Sequence, residues 1–457
     1  MTAATNPAKL PNSALLDAVE TASAKFASRN PQSRRLFDQA QGSMPGGNTR
    51  SALYFDPFPL YVIESFDARI KDADGHVYLD ALGEFTAGLY GHSDPNLRAA
   101  IIEAASRGVS NGAPGEAEIK LAELICDRFP AIEAVRFCNS GTEANLYALT
   151  LAKAATKRTK LVAFSGAYHG GVFVFGKGGD LVNAPYDWTV CQYNEINKTT
   201  AIIEELGANL AAVIVEPMMS NGGCLPATRE FLEALRRACD RVGALLIFDE
   251  VVTSRMGPAG SHSLLQVTPD LVTLGKYLGA GFSFGAFGGR AHIMDLMDPR
   301  RPDALPHAGT FNNNAFTMNV GYVGLNEVFT REKAQALYSA GESLRERLNR
   351  LAQDCSSLVQ FTGCGSAMNI HFVSGPLTCP EDLVAEPRDL FKLFHFDLME
   401  SGIYAARRGQ INLSLAMTDD DLNLIEHSVA RFLQRYRHLI RAEAGEFGSR
   451  PNHEDRL

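Results

Sequence analysis

The chain has little of several features that mark specialised classes of protein. Its 457 residues carry a formal charge of −9, with no dense run of lysine or arginine. That balance argues against a nucleic-acid surface or an anionic membrane as a partner. No apolar run approaches the roughly 20 residues that span a bilayer. The first residues lack the apolar segment of a signal peptide, so we expect a cytoplasmic protein.

Cysteine and histidine are present, but without the spacing of a disulfide framework or a metal site. The eight cysteines include no C-x-x-C pair, and the eleven histidines form no metal-spaced pair. This pattern predicts reduced thiols and no metal ion. The segment GFSFG at 281–285 matches the G-x-S-x-G pattern of serine hydrolases, but no strand leads directly into its serine. A dinucleotide enzyme is not expected either, because no G-x-G-x-x-G opens a helix.

The middle of the chain alternates apolar runs with helical patterns. Continuous apolar runs separated by helices are typical of a mostly parallel sheet with helices on both faces. The sequence therefore predicts an α/β fold with a large domain of this kind and a smaller α+β domain. The strand candidates lie at 135–138, 161–164, 211–216, 244–250 and 271–274.

The domain limits follow from where this alternation begins and ends. We expect N-terminal helices and an extended segment at 1–70, and a large domain at 71–325. A small C-terminal domain is predicted at 326–442. The polar segment 443–457 is predicted to be a mobile tail.

Polar residues follow each of the five apolar runs. In parallel sheets the ligand site lies at the carboxyl ends of the strands, so we expect these residues to meet. In chain order they are Ser140-Gly141-Thr142, Tyr168-His169, Glu216, Asp249 and Lys276.

Each of these residues also has an ordinary structural explanation. Ser140 suits a helix N-cap, Tyr168 a half-buried core position, and Lys276 a solvated turn. Asp249 ends an apolar strand and needs a cationic partner, which could be an arginine or a protonated heterocycle. One ligand, pyridoxal 5′-phosphate (PLP), accounts for all of them together. Its phosphate suits the turn at the helix start, and its ring, ring nitrogen and aldehyde suit the tyrosine, the acid and the lysine.

Six motifs, in chain order, resemble those of the class III aminotransferases of PLP fold type I. They are NSGTEAN, AYHGG, VEP, FDEVVTSR, TLGKYLGAG and HAGTFNNN, and the resemblance covers about residues 35–435. Within this class, SMPGGNTR and EFTAGLYGHS resemble the branch of β-phenylalanine aminotransferases and glutamate-1-semialdehyde aminomutases.

The resemblance implies a role for each of the residues that hold the cofactor. Lys276 resembles the Schiff-base lysine and Asp249 the partner of the ring nitrogen. The turn of Ser140, Gly141 and Thr142 matches the phosphate site. The remaining implied contacts are Tyr168 and Val251 on the two ring faces, His169 beside the cofactor, Asn221 near the ring hydroxyl, and Glu216 behind these.

The resemblance also implies the assembly and the substrates. Thr310 resembles the residue that reaches the phosphate of a neighbouring subunit, so a homodimer with shared active sites is expected. Arg50 and Arg408 match the anchors for substrate carboxylates, which guanidinium groups bind in a bidentate manner. Phe85, with Phe55 and Phe58, could line an apolar side-chain pocket, although all three could equally belong to the core.

The expected activity is transfer of the amino group of an aromatic β-amino acid to 2-oxoglutarate or pyruvate, by a ping-pong mechanism. The alternative is an intramolecular glutamate-1-semialdehyde aminomutase, which Asn221 slightly favours. Phe85-Thr86-Ala87 stands where the mutases carry Trp-Gly-Pro, and Arg408 stands near a glutamate of theirs, so both differences disfavour that alternative. A PLP-binding protein without turnover is a more remote alternative.

Overall fold

The computed structural model describes residues 13–108, 111–176, 178–355 and 358–445. In these ranges no helix is both long enough and apolar enough to cross a membrane. The α-helices are α1 Ser13–Arg29, α2 Pro31–Ala40, α3 Pro95–Arg107, α4 Glu116–Arg128, α5 Gly141–Thr156, α6 Ile196–Leu206, α7 Arg229–Val242, α8 Gly260–Leu265, α9 Ala291–Met294, α10 Ala315–Val323, α11 Arg331–Cys355, α12 Arg388–Glu400, α13 Asp419–Arg435 and α14 Arg437–Gly445.

The described strands fall into four sheets. They are β1 Val62–Phe66, β2 Arg69–Asp72, β3 Val77–Asp80, β4 Ala134–Cys138, β5 Lys160–Phe164, β6 Asp187–Cys191, β7 Leu210–Val215, β8 Met218–Met219, β9 Leu225–Pro226, β10 Leu245–Asp249, β11 Leu271–Gly275, β12 Gly285–Gly289, β13 Gln360–Cys364, β14 Ala367–His371, β15 Ile403–Tyr404 and β16 Gln410–Asn412.

A seven-stranded sheet with the order β4-β12-β11-β10-β7-β5-β6 forms the centre of the molecule. Only β12 runs antiparallel to its neighbours; the pairs β11–β10, β10–β7, β7–β5 and β5–β6 are parallel. All six residues of β7 are buried, as expected for a strand covered on both faces. The predicted α/β fold with a mostly parallel sheet is confirmed.

The helices that cover this sheet begin and end where their sequences indicate. In α7 the Thr228 side chain accepts the N–H of Phe231, and Gly243 ends the helix with a φ of +68°, a conformation that glycine adopts readily. The buried side chains of α7, including Phe231 and Leu235, lie on one face of the helix. This face packs into the same apolar cluster as Phe248 of β10.

Three smaller sheets of the described residues lie outside the large one. One has the order β1-β2-β3-β15, the second has the order β13-β14-β16, and the third consists of β8 and β9. The expected domain limit between residues 70 and 71 therefore falls inside β2, and its sheet continues to β15 in the C-terminal part. We propose that β1 to β3 belong to the small domain and that the limit follows Asp80.

The two ends of the chain extend the predicted pattern. Helix α1 spans Ser13–Arg29 and α2 spans Pro31–Ala40, so the N-terminal helices expected within residues 1–70 are present. At the other end, α14 continues to Gly445, into the segment predicted to be a tail. The rest of that segment, 446–457, and residues 1–12 lie outside the described residues.

Candidate active site

Lys276 lies immediately after β11, at the carboxyl end of the large sheet. Its Nζ donates a hydrogen bond to the carbonyl oxygen of Phe85 at 3.0 Å. Burial lowers the pKa of Lys276 to about 8, although the nearby carboxylates of Asp249 and Glu216 act in the opposite direction. A large share of this amine is therefore neutral near pH 8, as a nucleophile or general base requires.

Asp249 ends the neighbouring strand β10 and is only 4% exposed. Its carboxylate accepts three hydrogen bonds: from Asn145 Nδ2 at 2.8 Å, from the Val251 N–H at 3.0 Å, and from His169 Nδ1 at 2.8 Å. Three donors stabilise the negative charge and fix the orientation of the carboxylate. Within the described part of the chain the acid therefore has no arginine partner, and it is held in place by an amide, a backbone N–H and an imidazole.

Asn145 is a site residue that sequence reasoning missed. It is buried in α5, and its Nδ2 also donates to the carbonyl oxygen of His169 at 2.9 Å. Its Oδ1 accepts from the Thr273 hydroxyl at 2.6 Å. Asn145 thus connects β10, β11 and the turn after β5. The signal available in the sequence was an asparagine on an otherwise apolar helix face.

The start of α5 forms an anion site. Ser140 is the N-cap, and its side chain accepts the N–H of Glu143 at 3.1 Å. The N–H groups of Gly141 and Thr142 have no acceptor among the described residues. Two free N–H groups at the positive end of a 16-residue helix suit a phosphate. Thr142 is further oriented because its hydroxyl accepts the N–H of Gly171 at 3.2 Å.

The space beside this helix start is shaped by Val251 and two glycines. A Cβ at Gly141 would lie 2.9 Å from both Val251 methyl groups, and a Cβ at Gly275 would lie 3.2 Å from one of them. Val251 therefore packs directly between the phosphate turn and the residue before Lys276. The Tyr168 ring, in contrast, is 44% exposed, so a planar group has access to it.

Glu216, at the end of β7, lies behind Tyr168. Its carboxylate accepts the N–H groups of Tyr168 at 3.0 Å and Ser220 at 3.2 Å. Burial raises the pKa of Glu216 to about 7, opposed by the nearby His169. The residue thus fixes the backbone of the Tyr168 turn, and its expected place behind the cofactor contacts stays a prediction.

Arg50, Arg408 and Phe85 meet beside Lys276. The guanidinium carbons of Arg50 and Arg408 lie 5.6 and 5.2 Å from the centre of the Phe85 ring. Arg50 pairs with Glu84 at 2.6 Å in an exposed ion pair. Among the described residues, Arg408 donates only to the neutral side chains of Gln410 and Asn221. Asn221, expected near a ring hydroxyl, is thus the partner of Arg408 in this structure.

Of these residues, Phe85, Asn221 and Arg408 line a cavity of about 800 Å³. Tyr54 and Phe391 add aromatic surface to its lining. Phe55 and Phe58 do not line this cavity: they are 3% and 0% exposed and pack with Phe26 and Phe396. Of the two possibilities for Phe55 and Phe58, pocket lining or core, the structure shows the core, because α1 and α12 cover them.

Two residues of the HAGTFNNN motif lie apart from these groups. Thr310 is exposed in the segment that precedes α10, and its expected contact with a partner's phosphate stays a prediction. His307 packs against the rings of Tyr147 and Phe287 at 4.5 and 5.4 Å. Among the described residues no group of three or more His, Cys, Asp or Glu side chains could hold a metal ion.

The chemistry of this site fits PLP. Free N–H groups at a helix start suit the phosphate, a buried carboxylate with fixed orientation suits the ring nitrogen, and a lysine with a lowered pKa suits the aldehyde. Tyr168 and Val251 are placed to contact the ring. These groups were predicted from the sequence to meet, and the structure brings them to one edge of the sheet.

Comparison with known proteins gives the same picture. The family model "Aminotransferase class-III" matches residues 52–175 and 179–416. A β-phenylalanine transaminase of Variovorax paradoxus is 48% identical over 422 residues, which cover 92% of this chain and 97% of that protein. The crystal structure of a β-phenylalanine aminotransferase from the same organism has a TM-score of 0.92 and covers 93% of this chain and 99% of its own.

Two further solved structures widen the comparison. A transaminase with PLP bound is 31% identical, with a TM-score of 0.80 over 91% of this chain and 99% of its own. A glutamate-1-semialdehyde aminomutase from Pseudomonas aeruginosa PAO1 is 22% identical, with a TM-score of 0.85 over 92% of this chain and 98% of its own. The last likeness shows a shared fold only.

Proposed function

This chain belongs to the class III aminotransferases, and within that family we propose that it acts on aromatic β-amino acids of the β-phenylalanine type. It is a PLP-dependent transaminase that takes an amino group from a small-molecule donor and passes it to a keto acid. The proposed acceptor is 2-oxoglutarate or pyruvate, and the proposed kinetic order is ping-pong. The relative from Variovorax paradoxus supports the proposed donor.

The observation that carries this proposal is the pair of guanidinium groups over Phe85. Arg408 has no carboxylate partner among the described residues, and burial lowers its pKa. An incoming carboxylate would replace neutral acceptors with a bidentate ion pair, which is the stronger interaction. The exposed pair of Arg50 and Glu84 is weak, so a second carboxylate could displace Glu84. Phe85 adds an aromatic surface beside both.

PLP supplies an aldehyde that condenses with amines and a ring that accepts electrons when a C–H bond breaks. The protein groups do the rest. Lys276 is the proposed carrier of the aldehyde and, once released, the base that moves the proton from the donor's amine-bearing carbon. Asp249 keeps the ring nitrogen protonated through a carboxylate held by Asn145 and His169. The α5 N-terminus holds the phosphate.

We also propose the assembly and the location. The active unit is a homodimer in which Thr310 of each subunit completes the phosphate site of the other. Its exposed position, beside the likewise exposed Phe311, supports a contact with a second copy. All eight cysteines, which lie within the described residues, are free thiols. This supports the proposal of a reducing cytoplasmic environment.

The proposal is tested by separating the two halves of the reaction. The PLP-loaded protein is mixed with 3-amino-3-phenylpropanoate alone, and the visible absorbance of the cofactor is followed. A ping-pong transaminase loses this absorbance, because the amino group stays with the enzyme, and regains it when 2-oxoglutarate or pyruvate is added. Failure to regain it would refute the transaminase proposal. Turnover of glutamate 1-semialdehyde without any acceptor would favour the aminomutase.

A further inference from the structure

Arg255 is the largest of the fully buried side chains in the described part of the chain. It belongs to a short 3-10 helix, Thr253–Arg255, a few residues after Asp249, and is 2% exposed. It forms no ion pair with any carboxylate of the described ranges. Burial lowers the pKa of Arg255 to about 10, so the guanidinium is still charged at neutral pH. A buried, unpaired charge is costly unless its donors are satisfied.

Each of the three nitrogen atoms of the Arg255 side chain donates one hydrogen bond, and the three acceptors lie in separate segments of the chain. Nε donates to the Ser366 hydroxyl at 3.0 Å, in the turn between β13 and β14. Nη1 donates to the carbonyl oxygen of Thr86 at 2.7 Å, and Nη2 donates to the carbonyl oxygen of Leu413. The Leu413 N–H donates in turn to the Ser366 carbonyl at 2.8 Å. One planar side chain thus joins the large sheet to the small three-stranded sheet and to the segment around Phe85.

The segment that includes Thr86 has an unusual backbone. Glu84, Phe85 and Thr86 have φ values of +49°, +51° and +80°. Three successive residues with side chains rarely adopt the left-handed region, least of all a β-branched threonine. Such a conformation persists only where the surroundings impose it. Arg255 donates to the Thr86 carbonyl at one end of this segment, and Asn412 donates to the Leu82 carbonyl at the other, at 2.7 Å.

This strained segment places two features of the active site. The Phe85 carbonyl faces the Lys276 amine at 3.0 Å. The Phe85 ring lies beneath the guanidinium groups of Arg50 and Arg408. Arg255 acts on the residue immediately after Phe85, so its contact and the lysine contact hold adjacent carbonyl groups.

We infer that Arg255 is a positioning residue for the reaction: it fixes the left-handed segment Glu84–Thr86, so that Phe85 holds the Lys276 amine and both carboxylate-binding arginines in register. Without the three-way fork, this segment relaxes toward ordinary φ values, and the Phe85 carbonyl leaves the amine. A lysine at this position keeps the charge but cannot reach three acceptors in one plane. The part of this inference that concerns the two arginines rests on the proposed function. The part that concerns the contact between Phe85 and Lys276 does not.

Arg128 is a matched control for Arg255. It is also buried, at 4% exposure, has no carboxylate partner among the described residues, and donates to a backbone carbonyl, that of Phe329, at 3.1 Å. It lies over the Phe329 ring at 5.3 Å, close to Tyr277, but among the described residues it makes no hydrogen bond to Glu84, Phe85 or Thr86. Arg128→Met therefore reproduces the loss of a buried guanidinium without disturbing the Phe85 segment.

The first readout is the pKa of Lys276 in the protein without cofactor. The rate of reductive methylation of Lys276 is measured against pH by peptide mass mapping in wild type, Arg255→Met, Arg255→Lys and Arg128→Met. Loss of the Phe85 carbonyl removes an acceptor for the charged amine, so we expect a lower pKa in Arg255→Met and a smaller decrease in Arg255→Lys. Arg128→Met should match wild type. A Lys276 pKa that is unchanged or raised in both Arg255 variants would overturn the inference.

The second readout compares two amine donors, 3-amino-3-phenylpropanoate and 1-phenylethylamine, which lacks the carboxylate. For Arg255→Met we expect kcat/KM with 3-amino-3-phenylpropanoate to fall by about 10²-fold. The ratio of this kcat/KM to that with 1-phenylethylamine should also fall. An equal loss for both donors would overturn the part concerning the arginines. If Arg255→Met does not fold, Arg255→Lys carries both tests. If wild type turns over neither donor, the proposed function fails, and the lysine readout still tests Arg255.

Discussion

His169 Nδ1 lies 2.8 Å from Asp249 Oδ2, and both side chains are buried. The same carboxylate oxygen accepts from Asn145 at 2.8 Å, so the acid is held by two side chains from different elements. An acid fixed in this way presents one geometry to its ligand, here the proposed nitrogen of the PLP ring. This relationship leads to the first two predictions.

Asp249→Asn should bind PLP but turn over poorly. The amide cannot stabilise a protonated ring nitrogen, and loss of one such electrostatic contact lowers kcat by about 10²–10³-fold. The measurement is single-turnover kinetics with 3-amino-3-phenylpropanoate, together with the absorbance of the loaded protein. Activity within a few-fold of wild type would contradict the role of Asp249.

Asn145→Ala should show a weaker version of the same defect. A hydrogen bond to a charged group is worth about 1.5–3 kcal/mol. If the loss is expressed wholly in the transition state, it amounts to about 10–100-fold in rate. Thr273→Val, which removes only the donor to Asn145 Oδ1, serves as the milder comparison. A rate for Asn145→Ala equal to that of wild type would remove Asn145 from the site.

Loading of the protein with PLP should depend on pH through Lys276. Only the neutral amine attacks an aldehyde, and the pKa of Lys276 is lowered to about 8 from the ordinary 10.5. The initial loading rate should therefore rise about tenfold per pH unit below pH 8 and level off above it. Stopped-flow absorbance from pH 6 to 10 checks this. A midpoint near 10.5 would mean that the amine is not buried in solution.

Arg408→Leu should impair donors that carry a carboxylate. We expect KM for 3-amino-3-phenylpropanoate to rise by about 10–100-fold, as the loss of a charge-assisted contact implies. No comparable change is expected for 1-phenylethylamine. Arg407→Leu is the control, because Arg407 borders the same cavity. A selective loss in Arg407→Leu, with Arg408→Leu unaffected, would assign the anchor to the neighbouring arginine.

Phe58→Ala should affect stability and not specificity. Phe58 is 0% exposed, and its ring lies 5.2 Å from that of Phe26, so its truncation should lower the free energy of unfolding by about 3–5 kcal/mol. Chemical denaturation measures this change. The ratio of kcat/KM for aromatic and aliphatic β-amino acids should stay that of wild type, and a changed ratio would restore Phe58 to the substrate pocket.

The sequence was informative where one physical constraint dominates. Continuous apolar runs locate buried parallel strands, and a costly charged group at the end of such a run indicates a site. Asp249, Glu216 and Lys276 could all be found in this way, although their roles stay predictions. The parallel arrangement then dictates that they meet.

Other parts of the site depend on contacts between distant segments, which local patterns do not show. Arg255 joins residues 86, 366 and 413, and nothing in TSRMG distinguishes it from a surface arginine. The left-handed segment Glu84–Thr86 contains no glycine, although Gly83 precedes it, so composition does not predict its backbone conformation. From the sequence, Phe55 and Phe58 could be pocket or core residues. They belong to the core because α1 and α12 pack over them, which local patterns do not show.

We propose that the Lys276 amine binds the aldehyde of PLP and that the start of α5 binds its phosphate. The most direct measurement is borohydride reduction of the PLP-loaded protein, followed by digestion and peptide mass mapping. We predict one modified peptide, with the label on Lys276 and none in Lys276→Ala. A label on another lysine, or equal labelling of several, would contradict it.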